Sequence, residues 1–294
     1  ILCNSLSQND ESTREIEEKL QPFVARILMT NNLINTIITA ILSLFLGPYS
    51  DVFGRKNVLA ASFSGFSLTL ALNALITFIS EHQRLSPWTY TVAHIPQILG
   101  GGWPTLLTAV SCYVTDTNEE EKRATRITFV GTVVFIGVLL GILSCNFILP
   151  LTGPTLVFVI SASCASIGTL IVFFGVNESI NVHENVSKRD QLKTLASAKY
   201  FVETIETCFK KRSSKERRIL ICLILILVLT TFTFNGSASV SYLFERKKFG
   251  WKLEQHNVYE VANITLAIFG CIIGLTILKK YCKVSEMSLV FLSI

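Results

Sequence analysis

Charge is scarce in this sequence. Asp, Glu, Lys and Arg make up 16% of its 294 residues, against about 25% in a soluble domain. Half of the residues are hydrophobic, and the mean hydropathy is +0.50. An ordinary soluble surface is therefore not expected. Also missing are a Gly-x4-Gly-Lys-Ser/Thr loop to cradle phosphate and a nucleophile at useful spacing from a base, so an enzyme is not expected. The eight cysteines include no pair at metal-ligand spacing, and neither a metal nor a cofactor is implied. The net charge of +5 follows one basic central loop rather than a spread face, and nucleic acid is not an expected partner.

What is present is a rhythm. Apolar runs of roughly the twenty residues a bilayer requires alternate with short charged stretches. They are Ile27–Pro48, Asn57–Ile79, Trp88–Thr115, Ile127–Leu149, Pro154–Val176, Arg218–Phe244 and Val258–Lys279. An eighth begins at Glu286 and stops at Ile294. The expected class is an all-α integral membrane protein. The chain opens without Met, in the polar segment SQNDESTREIEEKL, and ends inside a run. It is expected to be an internal piece of a longer polypeptide.

Cytoplasmic loops collect Lys and Arg. Segments 50–57, 116–126, 178–218 and 279–283 hold eighteen of the 26 basic residues, ten of them in the long loop. These segments are expected to be cytoplasmic. Cys112, Cys145, Cys164, Cys222 and Cys271 then lie within runs, Cys208 and Cys282 on the cytoplasmic side and Cys3 outside without an exterior partner. That distribution builds no disulfide framework. Sequons at Asn177, Asn185, Asn235 and Asn263 fall in the membrane or the cytosol on this topology and are read as chance.

One polar segment sits between two apolar runs: GPYSDVFGRK, residues 47–56. Gly47 allows close helix approach. Asp51 can face the positive N-terminus of another helix. After Gly54, Arg55 can hold a carboxylate with two prongs, and Lys56 adds a second cation. Asp116, in YVTDTNEEEKRATR, is a candidate partner for Arg55. This spacing resembles the loop signature between the second and third helices of major facilitator superfamily transporters, with Val52 where that family usually places a cation. The resemblance implies a helical bundle of twelve, of which this chain holds helices two to eight and the start of nine. It also implies that the motif latches the two halves on the cytoplasmic side.

ILGGGWPTLLTAVSCYVTDTNEEEKRATR, TIETCFKKRSSKERR and SYLFERKKFGWKLEQHNVYEVANITLAIFG are similar to solute carrier family 46, the proton-coupled folate transporter family, and especially to its insect members. Proton-coupled members tend to carry a glutamate early in the fifth helix and some a histidine in the seventh; here Gly131 and Thr233 stand at those places. On the resemblance, residues 1–26 form an exterior loop, 27–176 an N-terminal half and 177–217 a cytoplasmic linker. Residues 218–294 begin the C-terminal half. Apolar positions 192, 195, 202, 205 and 209 fit an amphipathic helix in the linker, lying on the membrane's inner face.

Polar side chains within a span are costly and often functional. His94 would lie about 9 Å in from Trp88 by helix rise, with Gln97 a turn deeper; a histidine there could titrate. Asn31 and Asn35 share a helix face. Asn235 and Asn263 fall in helices that line the cavity in the resembled superfamily. For each of these the plain alternative is a hydrogen bond between helices. Glu260, near Lys252 and His256 in sequence, reads as a solvated residue at the outer mouth. Gly137 and Gly141 form a small-xxx-small packing seam, and GGGWP at 100–104 is expected to bend its helix through Pro104.

The expected function is secondary transport of a small organic anion by alternating access. By resemblance the anion is folate-like, a muropeptide or a cyclic dinucleotide, and protons are a candidate co-substrate. The expected setting is the plasma membrane rather than the lysosome. A seven-helix receptor and a carrier-derived sensor that does not transport are the alternatives.

Overall fold

A computed structural model describes residues 10–180 and 214–273. The proposed amphipathic segment of the linker, the Asn185 sequon, Cys3, Cys208, Cys282 and the start of a ninth helix lie outside the described residues. Within them the chain is helical: α1 Asp10–Phe53, α2 Arg55–His82, α3 Thr89–Ala93, α4 Ile95–Leu99, α5 Gly102–Thr117, α6 Glu120–Thr152, α7 Pro154–Gly175, α8 Ser214–Phe249 and α9 Leu253–Ile273. Five stretches are long and apolar enough to cross a membrane: Leu20–Phe53, Arg55–His82, Glu120–Thr152, Pro154–Gly175 and Arg217–Ala238.

Two readings of the sequence need adjusting. The segment 1–26, expected as an exterior loop, is helical from Asp10 onward and continues into the first apolar run without a break. Its Glu, Lys and Leu are good helix formers, and polarity alone does not end a helix. The third run, Trp88–Thr115, is three helices rather than one bent helix. The second break lies at Gly101 and Gly102, with φ of 82° and 62°, a region that L side chains avoid. Pro104 sits in the first turn of α5, where its missing N–H costs nothing. The glycines, not the proline, make that break. The first break lies at His94, ahead of Pro96 in the opening turn of α4. A depth for His94 based on one continuous helix therefore does not follow.

The described helices group into two compact units. The first holds α1 to α5 and α7; the second holds α6, α8 and α9. In the first, α2 and α7 pack antiparallel along their length. Glu81 Oε1 accepts from Thr155 Oγ1 at 2.6 Å, Ser67 and Ser166 hydroxyls meet at 2.7 Å, and Glu178 reaches the start of α2. Val58, Leu59 and Ala60 form a core with Val172, Leu106 and Ala109.

The buried side of α2 includes Ser62, Gly65, Thr69, Asn73 and Thr77, spaced three or four apart, so they line one face. Small and hydroxyl-bearing residues inside, with large apolar ones outside, is the arrangement that bilayer helices use to approach closely. In the second unit, α6 and α9 are joined by Asn257 Nδ2 donating to Asn146 Oδ1 at 2.5 Å.

Candidate functional site

The polar segment between the first two runs gathers charge at one end of the first unit. Gly54, φ 110°, ends α1 and stands as the N-cap of α2 without a side chain to cap it. The first N–H groups of a helix need acceptors, and Glu178, just past α7, supplies them. Its Oε1 accepts from Arg55 N at 2.7 Å, and its Oε2 from Lys56 N at 3.2 Å. An acid there also meets the positive end of the helix.

The Arg55 guanidinium extends the cluster. Its Nε donates to Asp116 Oδ2 at 3.0 Å, and its Nη1 donates to Ser50 Oγ at 2.8 Å. Nη1 also pairs with Asp51, one turn back. The Arg55 side chain keeps 12% of its surface accessible and Asp116 26%, whereas Asp51 keeps 59%. Asp51 thus keeps an accessible side chain, with Oδ1 on Arg55, while Arg55 is held inward. The end of α1, the start of α2, the end of α5 and the segment after α7 are tied through Arg55 and the carboxylates of Asp51, Asp116 and Glu178. A Cβ on Gly47 would meet nothing within 4 Å among the described residues, so no close approach occurs there.

The broken helices pack backbone to backbone on α2. A Cβ on Gly65 would stand 2.6 Å from Pro96 O, and one on Gly100 2.9 Å from Ala61 O. Ser62 Oγ donates to Gly100 O at 2.8 Å. The breaks free backbone groups, and hydroxyls take them up: Gln97 N donates to Thr69 Oγ1 at 3.1 Å. Thr77 Oγ1 and Tyr90 Oη meet at 3.2 Å. His94 Nδ1 lies 2.8 Å from its own helix's Tyr90 O. That contact makes Nδ1 the protonated nitrogen in the neutral ring.

Asn35 and Asn31 lie on one face of α1, one and two turns before Thr39. Thr39 is buried and packs against Gly102. Both asparagine Oδ1 atoms are buried without a hydrogen-bond partner, as are Thr91 Oγ1 and Thr105 Oγ1. Buried acceptors without donors are uncommon and are what a polar ligand or water would satisfy. In the second unit Asn235 is exposed, its Nδ2 donating to Thr231 O at 2.9 Å, and Asn263 is exposed. A Cβ on Gly137 or Gly141 would meet nothing within 4 Å among the described residues.

Sequence reading missed Glu178, Asn146 with Asn257, and a buried acid at the α8–α9 corner. Glu245 is 7% exposed. Its Oε1 accepts from Ser241 Oγ, and its Oε2 lies against His256 Nδ1, each at 2.7 Å. The His256 hydrogen bond, then the Ser241 bond, hold the Glu245 carboxyl below the ordinary glutamate range, against the opposing pull of desolvation. An acid among basic neighbours, ERKK, reads in sequence as a solvated loop charge; only the turn at Gly250 brings the histidine back to it.

The Major Facilitator Superfamily profile matches residues 21–294. The chain belongs to the major facilitator superfamily. It is therefore a multi-pass membrane protein of a transporter family, with a small molecule as the kind of partner such a fold serves. The superfamily match sets aside the seven-helix receptor. A Drosophila melanogaster protein described as "Probable peptidoglycan muropeptide transporter SLC46" is 28% identical over 255 residues, 86% of this chain and 49% of that protein. The chain resembles that relative and spans about half of its length.

Proposed function

We propose that this superfamily member carries small organic anions by alternating access, with the Asp51–Arg55–Asp116–Glu178 cluster as its cytoplasmic latch. The observation that carries the reading is the division of labour at that cluster. Arg55 is consumed by contacts within its own unit, while the Asp51 side chain, though paired through Oδ1, stays largely exposed. An exposed acid at a helix end is suited to meet a partner helix N-terminus that forms only in one state. Residues 218–294 would begin the second half of the transporter, after a cytoplasmic linker.

For the substrate, the relative's description favours a muropeptide, and the resemblance to solute carrier family 46 adds folate-like compounds and cyclic dinucleotides. The unpartnered amide oxygens of Asn31 and Asn35 suit accepting from the N–H and O–H groups of such compounds, with Gln97, Asn235 and Asn263 as further pathway residues. Proton symport at the plasma membrane completes the reading, with His94 as a candidate proton carrier.

Uptake of labelled muropeptide, folate and cyclic dinucleotide by cells expressing the completed chain tests this, at outside pH 5.5 and 7.4, with Asp51→Ala alongside. Saturable uptake of one compound, reduced in the variant at equal surface level, supports the carrier. Gly131 and Thr233, which stand where proton-coupled members carry Glu and His, favour a second reading: a carrier-derived sensor. Saturable binding of the same compounds without uptake would support it.

A further inference from the structure

The proposed carrier reading names His94 for protons, yet the most thoroughly buried acid among the described residues lies elsewhere. At the α8–α9 corner both oxygens of Glu245 are engaged, one by Ser241 and one by His256 Nδ1. The Glu245 side chain keeps 9% of its surface accessible and His256 16%. We propose that Glu245 and His256 form a proton-binding site, whose loading state sets how firmly α9 is held to α8.

The identity of the partner decides how the pair responds to pH. A carboxylate paired with Arg stays paired at any pH a cell meets. Imidazole is the group whose charge changes between about pH 5 and 8. Here Nδ1 already carries the hydrogen that Glu245 accepts, so an incoming proton adds at Nε2. The pair then passes from a carboxylate bonded to a neutral ring to a carboxylate bonded to an imidazolium, losing its net negative charge. The carboxylate already assists the bond to the neutral ring, and the imidazolium adds an opposite charge at hydrogen-bond distance. Mild acid therefore tightens the corner. Protonation of Glu245 itself, at lower pH, removes the acceptor charge and loosens it.

The surroundings leave this pair in charge of the corner. On α8 the Tyr242 ring lies 5.1 Å from the His256 ring, Arg246 Nη1 donates to Trp251 O at 3.2 Å, and Lys248 Nζ lies over the Phe244 and Phe249 rings. Lys247 is the remaining cation of that turn. On α9 the charged residues are Glu254 and Glu260, with Tyr259 beside Trp251, and Lys252 precedes the helix. From α6, which packs on α9, come Asn146 and Cys145; no Asp, Glu, Lys, Arg or His occurs between Ile127 and Thr152. Asn257, the residue after His256, makes the 2.5 Å bond to Asn146. The pair thus sits on the same turn of α9 that holds α6.

Amide hydrogen exchange of the full chain in lipid nanodiscs tests this without any substrate. After correction for intrinsic exchange, residues 255–261 should be severalfold better protected at pH 5.5 than at 7.5. His256→Gln keeps a side-chain N–H donor but cannot titrate, and Glu245→Gln keeps the shape without the charge. The pH difference should vanish in both, while Ser241→Ala keeps it. No difference in the wild-type chain, or an unchanged one in either of the first two variants, overturns the site. Neither result touches the carrier reading, which stands or falls on uptake.

Discussion

Arg55 Nε donates to Asp116 Oδ2 at 3.0 Å, across 61 residues of sequence. The bond joins the start of α2 to the end of α5 in a place where Arg55 is largely withdrawn from solvent. Hydrogen bonds to charged groups contribute about 1.5–3 kcal/mol. Arg55→Ala and Asp116→Ala should each lower the thermal stability of the purified protein. Their double variant should lose less than the sum, because both remove one shared interaction. Strict additivity in a double-mutant cycle would deny the coupling.

Glu178 is the cap that Gly54 cannot provide. Loss of a helix cap costs roughly 0.5–2 kcal/mol. Glu178→Gln keeps a carbonyl acceptor but loses the charge, and Glu178→Ala keeps neither. Melting temperatures should fall in the order wild type, Gln, Ala. Equal melting temperatures for all three would show that Glu178 does not hold the α2 terminus.

Close approach separates two sets of glycines. A Cβ on Gly65 would press on the Pro96 carbonyl at 2.6 Å, a backbone atom that cannot turn aside. Gly65→Ala should therefore reduce folded yield and melting temperature. Gly137→Ala and Gly141→Ala, which meet nothing within 4 Å among the described residues, should leave both unchanged or slightly improved, since alanine favours a helix over glycine. Fluorescence-detected size exclusion of the three variants ranks them.

Much of the Arg55 cluster was legible. Gly47, Asp51, Gly54, Arg55 and Lys56 lie between two apolar runs, and Asp116 ends another, so helix rhythm places them at one end. The broken third run was legible as a bend at GGGWP but not in its cause, because a positive φ at Gly101 and Gly102 is a property of packing against Thr39, Leu46 and Thr105. Glu178 was not legible. It lies 123 residues from Arg55, in a segment without periodicity, and only the antiparallel register of α2 and α7 brings it there. Asparagines stood out within apolar runs, yet which of them meet depends on helix rotation. Asn257 reaches Asn146, while Asn235 and Asn263 are exposed.

The carboxyl of Glu245 gives stability a pH dependence. Its folded-state pKa lies below the ordinary value because His256, then Ser241, bonds the charged form. A depressed carboxylate contributes stability that is present above its unfolded pKa and lost as pH falls through the folded one. The gap in melting temperature between wild type and Glu245→Gln should therefore be widest in mild acid, where the carboxylate is still charged and His256 has gained its proton. It should narrow through the acid range below about pH 4.3, the unfolded value. A gap that stays constant down to pH 3 would place the carboxylate outside the bond.

In the proposed carrier the latch closes one end of the transport path. The most direct measurement is labelling of a single cysteine, Asn35→Cys, in a background freed of the eight native cysteines. A membrane-impermeant maleimide is applied from each side of oriented vesicles, with and without Arg55→Ala. With the latch intact, labelling from outside should exceed labelling from the cytoplasmic side. Arg55→Ala should shift it toward the cytoplasmic side. Labelling unchanged by Arg55→Ala on both faces would contradict a gating role for the cluster.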